Sequence, residues 1–192
     1  MNGQLMAGIG AAALAAVLIA GGITLICRRC AAKETDAVDG GVVKRCQADA
    51  PKVIESTEIV EFRAVSSLLS AFDDGGLGHR VYTLEAKLAD GMVRASYQWR
   101  GRGGSDKGEF TAGADFMTRL QEITAAHNLA EKNGFYHSVS GLPNMYGDSL
   151  NVLYASGEWI DVYDNQDGFL PMEAVQALVG LFGAATKLGA EE

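Results

Sequence analysis

Val81–Trp99 reads VYTLEAKLADGMVRASYQW, and the fold turns on how its middle is interpreted. Asp90-Gly91 is a dipeptide that favours a two-residue type I′ turn, because both central residues of that turn need positive φ. With the turn placed there, Leu88 faces Val93, Ala86 faces Ala95, Leu84 faces Tyr97 and Tyr82 faces Trp99. One face of the hairpin is then wholly apolar. The other carries Lys87 opposite Arg94, Glu85 opposite Ser96 and Thr83 opposite Gln98. A slip of one residue would turn the apolar set outward, so the pattern specifies its register. An antiparallel sheet with one dry and one wet face follows.

Upstream, Ser56–Val65 (STEIVEFRAV) alternates as a strand, with Val60, Phe62 and Ala64 on one side. The glycines of Ser70–Arg80 (SAFDDGGLGHR) mark a loop. Downstream, Gly101–Gly108 (GRGGSDKG) reads as a connection to a helix; it lacks the spacing of a phosphate-binding loop. Thr111–Leu129 carries Phe116, Leu120, Ile123 and His127 on one helical stripe. Glu131–Ser149 is rich in turn formers and aromatics, and Leu150–Asn165 predicts a second hairpin turning at Ser156-Gly157. Leu170–Gly183 predicts a helix with Pro171 in its first turn, Glu173 at its positive end and Gly183 as its stop. Met172, Val175, Leu178, Val179 and Phe182 form its apolar face. The expected fold is α+β: strand, hairpin, helix, hairpin, helix. That makes an antiparallel sheet of about five strands with two helices on one face. It would occupy residues 54–185, with 186–192 as a disordered tail.

The N-terminal part differs in kind. Leu5–Cys27 (LMAGIGAAALAAVLIAGGITLIC) holds no charge and no proline. As a helix it would extend roughly 34 Å, enough to cross a bilayer. No Lys or Arg precedes Arg28, unlike the charged start of a cleavable signal. Residues 1–30 therefore read as a single-pass membrane anchor and 31–53 as a flexible tether. Arg28, Arg29 and Lys33 flank the span, which by the positive-inside rule places the domain in the cytoplasm; an extracellular domain is the alternative. Gly8, Ala12, Ala16 and Ala20 recur every four residues, a spacing that suits a homodimer through the membrane helix.

The chain has 192 residues, is 48% hydrophobic and carries a net charge of −8. An acidic domain repels phosphate backbones, which argues against general nucleic-acid binding. Cys27, Cys30 and Cys46 form no disulfide framework, and the C-x-x-C pair at 27 and 30 has no second pair or histidine beside it.

Candidate sites are sparse. Asp161–Phe169 (DVYDNQDGF) gathers Asp161, Asp164 and Asp167 in an acidic loop, 161–168, that offers a small-ligand or calcium-sensor reading. Aligned as an EF-hand it fails, because Tyr163 takes the first ligand position and Ala174 the last. A strand end followed by a helix approach accounts for the same residues. Arg80, Lys87, Arg94, Arg100, Arg102 and Lys107 fall in the first hairpin and its exit. Lys87, Arg94 and Arg100 share its solvent face, a basic strip suited to anionic lipid or to an acidic protein partner. Ser140–Gly147 (SGLPNMYG), with Tyr146, is a loop that could rim a binding surface beside His137. An exported enzyme would need a concealed site around Asp73, His137 and Asp161, since spacing assembles no nucleophile–base set, no metal set and no cofactor motif. The leading expectation is a membrane-anchored, non-catalytic binding or structural module.

Glu109–Tyr136 and Ser140–Leu170 together resemble a family of short membrane-anchored or exported proteins of Gram-positive gut bacteria, over about Ile54–Phe182. The resemblance implies a bacterial membrane setting and carries no catalytic residue across.

Overall fold

The computed structural model describes residues 37–38, 41–71, 77–101, 104–141 and 147–188; side chains at 37–38, 68–71, 77–79 and 184–188 are not described. Leu5–Cys27, the expected anchor, lies outside the described residues, as do Asp73, Arg102 and Tyr146. Among the described residues no helix is long and apolar enough to cross a membrane.

The strands are β1 (Ala37–Val38), β2 (Val42–Cys46), β3 (Ile59–Ala71), β4 (Leu77–Ala89), β5 (Met92–Gly101), β6 (Gly104–Ala112), β7 (Phe135–Val139), β8 (Asp148–Tyr154) and β9 (Trp159–Asp164). The helices are α1 (Asp115–Ala126) and α2 (Met172–Leu188). The strands form one nine-stranded sheet in the order β1-β2-β7-β9-β8-β3-β4-β5-β6. It is antiparallel throughout except where β7 lies parallel to β9.

The β4–β5 hairpin has the expected register: Leu88↔Val93, Ala86↔Ala95, Leu84↔Tyr97, Tyr82↔Trp99. Asp90 (φ 54) and Gly91 (φ 77) both take the left-handed backbone that a type I′ turn demands. Alternation carries across the sheet, so Phe62, Ala64, Leu84, Ala86, Val93, Ala95, Leu150, Val152, Ile160 and Val162 all turn to one buried face. The two helices cover it. Phe110 of β6, Phe116 of α1 and Phe182 of α2 meet edge to face, with ring centroids 5.1–6.0 Å apart. Phe116 and Phe182 are buried, and burial of each side chain contributes about 1.5–3 kcal/mol.

Six expectations need correction, the first being the Ser70–Arg80 loop, into which β3 and β4 extend from either side. Gly101–Gly108 is not a plain connection: from Gly104 the chain pairs with β5 as β6 and extends the meander, so residues read as turn formers lie on an edge strand. Gly108 is needed there, since a Cβ would come within 2.5 Å of the Tyr97 ring. The tether ends earlier than residue 53, because β2 falls within it and pairs with β7, itself part of a stretch read as turns. Cys46 accordingly lies in the sheet, exposed. Val60 does not share the face of Phe62, because a bulge between Ile59 and Glu61 sends Ile59 inward instead. α2 passes through Gly183 to Leu188, and Ala174 and Leu181 are buried where Met172 is exposed. The sheet therefore has nine strands among the described residues, not five; the α+β class and the helices on one face stand.

α1 ends with Asn128 at φ 48, while Leu129 N–H bonds Thr124 O and Asn128 N–H bonds Ala125 O. That double closure is the Schellman pattern with asparagine in the usual glycine place. At the β8–β9 tip, the Glu158 carboxylate accepts N–H bonds from Glu55 and Ser56 and an O–H bond from Ser156. The Glu55 bond is the largest of the influences that hold its carboxyl below the ordinary range.

Candidate functional site

The acidic stretch sits where β9 ends, and its residues divide between the two faces of the sheet. Asp161 points to the open face, where its Oδ1 accepts a 2.6 Å hydrogen bond from Asn151. Partial desolvation pushes its carboxyl above the ordinary range, opposed by that bond. Asp164, three residues on, points to the helix-covered face and is 6% exposed. Its Oδ1 accepts the N–H groups of Gln166 (2.9 Å) and Asp167 (3.0 Å) and lies 3.1 Å from His137 Nδ1. A short acidic side chain bonding its own backbone two and three residues on favours a tight turn. The expected trio of Asp161, Asp164 and Asp167 is therefore not brought together. His137 replaces Asp161: a ring nitrogen of His137 and one carboxylate oxygen each from Asp164 and Asp167 lie within 4.8 Å of one another.

Neighbouring polar side chains hold this corner. Asn165 acts as a surrogate strand: its Oδ1 accepts the Val139 N–H (2.9 Å) and its Nδ2 donates to Val139 O (3.0 Å). Asp148, 3% exposed, accepts bonds from Ser66 Oγ (2.6 Å) and from the N–H groups of Phe169 and Leu170 (both 2.7 Å). Burial pushes the Asp148 carboxyl above its ordinary value against those bonds. Gly147 lets the chain pass, since a Cβ would stand 2.2 Å from Asp164 O. Asn133 is fully buried: Nδ2 donates to Pro51 O (2.9 Å) and Trp159 O (2.7 Å), Oδ1 accepts Asp161 N–H (2.8 Å), and its carbonyl accepts Lys52 Nζ. None of Asn133, Asp148 or Asn165 carries a spacing signal; only their place among turn residues hinted at a role.

The open face is the second candidate. Lys87 and Arg94 are register partners and exposed, and Arg100 is exposed three pairs further along β5. The strip is partly neutralised, because Lys87 pairs with Glu61 (2.6 Å) and Arg63 with Glu85 (2.8 Å). Both pairs are about half exposed, so each contributes no more than about 1 kcal/mol. Arg80 leaves the strip: it turns to the other face and its guanidinium lies 4.4 Å from the Trp99 ring centre. At the opposite end of the open face, Tyr136 and Tyr163 stack at 5.0 Å, and Arg45 lies 5.8 Å from the Tyr136 ring. Tyr136 is 39% exposed, high for so large an aromatic residue. β7 is the strand that presents it, which is why it escaped notice in a stretch read as turns.

His127 caps α1 and lines a shallow cleft with Leu129, Lys132, Phe169 and Pro171, apart from His137. The comparisons give no family by which to judge either candidate: no protein-family model, curated protein or solved structure matches the chain.

Proposed function

We propose that the chain is a membrane-anchored, non-catalytic binding module whose open sheet face docks an acidic protein partner. One observation supports this above the rest. The two helices cover one face of a nine-stranded sheet, and among the described residues no element covers the other, which carries a stacked tyrosine pair at one end and Arg94 and Arg100 at the other. Aromatic and arginine side chains are enriched at protein interfaces, and a basic strip on a chain of net charge −8 steers acidic partners. The uncharged Leu5–Cys27 stretch would hold the domain at the bilayer, on the cytoplasmic side by its Arg28, Arg29 and Lys33 flank.

The test places a photo-crosslinking residue at Arg94 or Tyr163, and separately at Arg119 on exposed α1, in full-length chain within host membranes. The sheet-face positions are expected to trap one defined protein, and R94E/R100E to weaken that trapping. Equal products from the α1 position, or indifference to R94E/R100E, would reject the reading.

A further inference from the structure

We propose that His137, Asp164 and Asp167 form a binding site for a first-row divalent cation at the corner where β7 meets the end of β9. The inference stands on the buried face and is independent of the sheet-face reading. Three observations carry it.

The donor set is already gathered. One ring nitrogen and two carboxylate oxygens lie within 4.8 Å of one another. Bonds of about 2.0–2.2 Å to one cation place its ligands roughly 3–4.4 Å apart. Only a small further closure is needed, and Asp167, which is exposed, has the freedom to supply it.

The local charge is also unbalanced. Asp148 and Asp164 are register partners on adjoining strands and both turn to the helix-covered face. Directly opposed residues have Cβ atoms about 4.5–5.5 Å apart. Asp148 is held by a hydroxyl and backbone N–H groups, all neutral. Among the described residues, no Lys or Arg forms an ion pair with Asp148, Asp164 or Asp167. Asp164 and Asp167 therefore share a single imidazole, with Asp148 on the adjoining strand, and buried charge is costly without a counter-charge.

Asp164, finally, is incompletely used. Among the described residues its three hydrogen bonds all go to Oδ1, and Oδ2 accepts none. That leaves Oδ2 as the Asp164 oxygen open to water or to a cation.

Mixed nitrogen and oxygen donors suit Mn2+ or Zn2+; Ca2+ takes six to eight oxygens. Three protein ligands leave positions for water or for a group from a bound molecule.

Mn2+ is the probe, because its preference for oxygen and nitrogen avoids the thiols of Cys27, Cys30 and Cys46. Full-length chain in mild detergent, stripped with chelator, is titrated with Mn2+ while paramagnetic broadening of amide signals is followed. We expect one site, with broadening centred on residues 137 and 164–167. H137Q and D167N should each weaken it about tenfold or more, and D161N should leave it unchanged. Should H137Q fail to fold, D167N alters only an exposed carboxylate and decides the matter. Broadening spread over exposed acidic residues, or wild-type affinity in D167N, would overturn the site.

Discussion

The two halves of the sheet are assembled by different means. In β3–β6 each strand follows its neighbour in sequence, and apolar alternation sets the pairing. In β2, β7 and β9 the partners lie far apart in the chain, and buried polar side chains set it: Asn133 to Pro51 and Trp159, Asn165 to Val139. Hydrophobic burial is generous but undirected, whereas a buried amide enforces one geometry. The hairpin half should tolerate polar substitution and resist nothing that removes its core; the seam should behave the opposite way.

The largest expected effect is at the hairpin half's core. Phe182→Ala removes a buried ring that touches Phe110 and Phe116 and should cost about 3–5 kcal/mol in urea unfolding. Next comes Asn133→Ala, which leaves Asp161 N–H and two carbonyls without partners, for about 2–3 kcal/mol. Amide exchange sharpens that test: Gln47, Gly134 and Asp161 should lose protection while β4 and β5 keep theirs. Equal loss everywhere would dissolve the distinction between the halves. Gly91→Ala forces a side chain into φ 77 and should cost about 1–2 kcal/mol without shifting the register.

Two smaller effects follow. The Tyr154 hydroxyl is buried with no hydrogen-bond partner among the described residues, and burial followed by the charge of Glu158 pushes its pKa to about 12. Tyr154→Phe should therefore be neutral or stabilising by up to about 1 kcal/mol in thermal unfolding. Asp148 governs the smallest effect, one of slope. Its folded pKa is raised above 3.8, so its favourable contribution is complete below pH 3.8 and is lost as pH rises through the folded value. Wild type should lose stability relative to Asp148→Asn over that window and run parallel to it above.

The same division explains what could be read from the chain. Asp90-Gly91 declared the hairpin because a turn's backbone demand and a period-two pattern are both local. Phe116 and Leu120 declared α1 by the same logic. β6 was concealed because its glycines and charges are those of a loop; as an edge strand it has one paired side and an exposed surface. β2 and β7 were concealed because each is short and finds its partner roughly ninety residues away in sequence, a distance no local pattern encodes. His137 shows the limit most clearly. It was singled out as an enzyme candidate with Asp161, yet the alternation of β9 turns Asp161 away and Asp164 toward it.

One consequence belongs to β2. It is the first five-residue strand after the N-terminal segment, and it pairs with β7 in register from Val42↔Val139 to Cys46↔Phe135. A force applied to the chain before β2 would load the β2–β7 pairing ahead of the meander. Immediately behind it, the Asn133 carboxamide grips Pro51 O, and the Asn133 carbonyl receives Lys52 Nζ. Under such a force residues 42–46 would separate from β7 first, and the Asn133 contacts would be the next to yield.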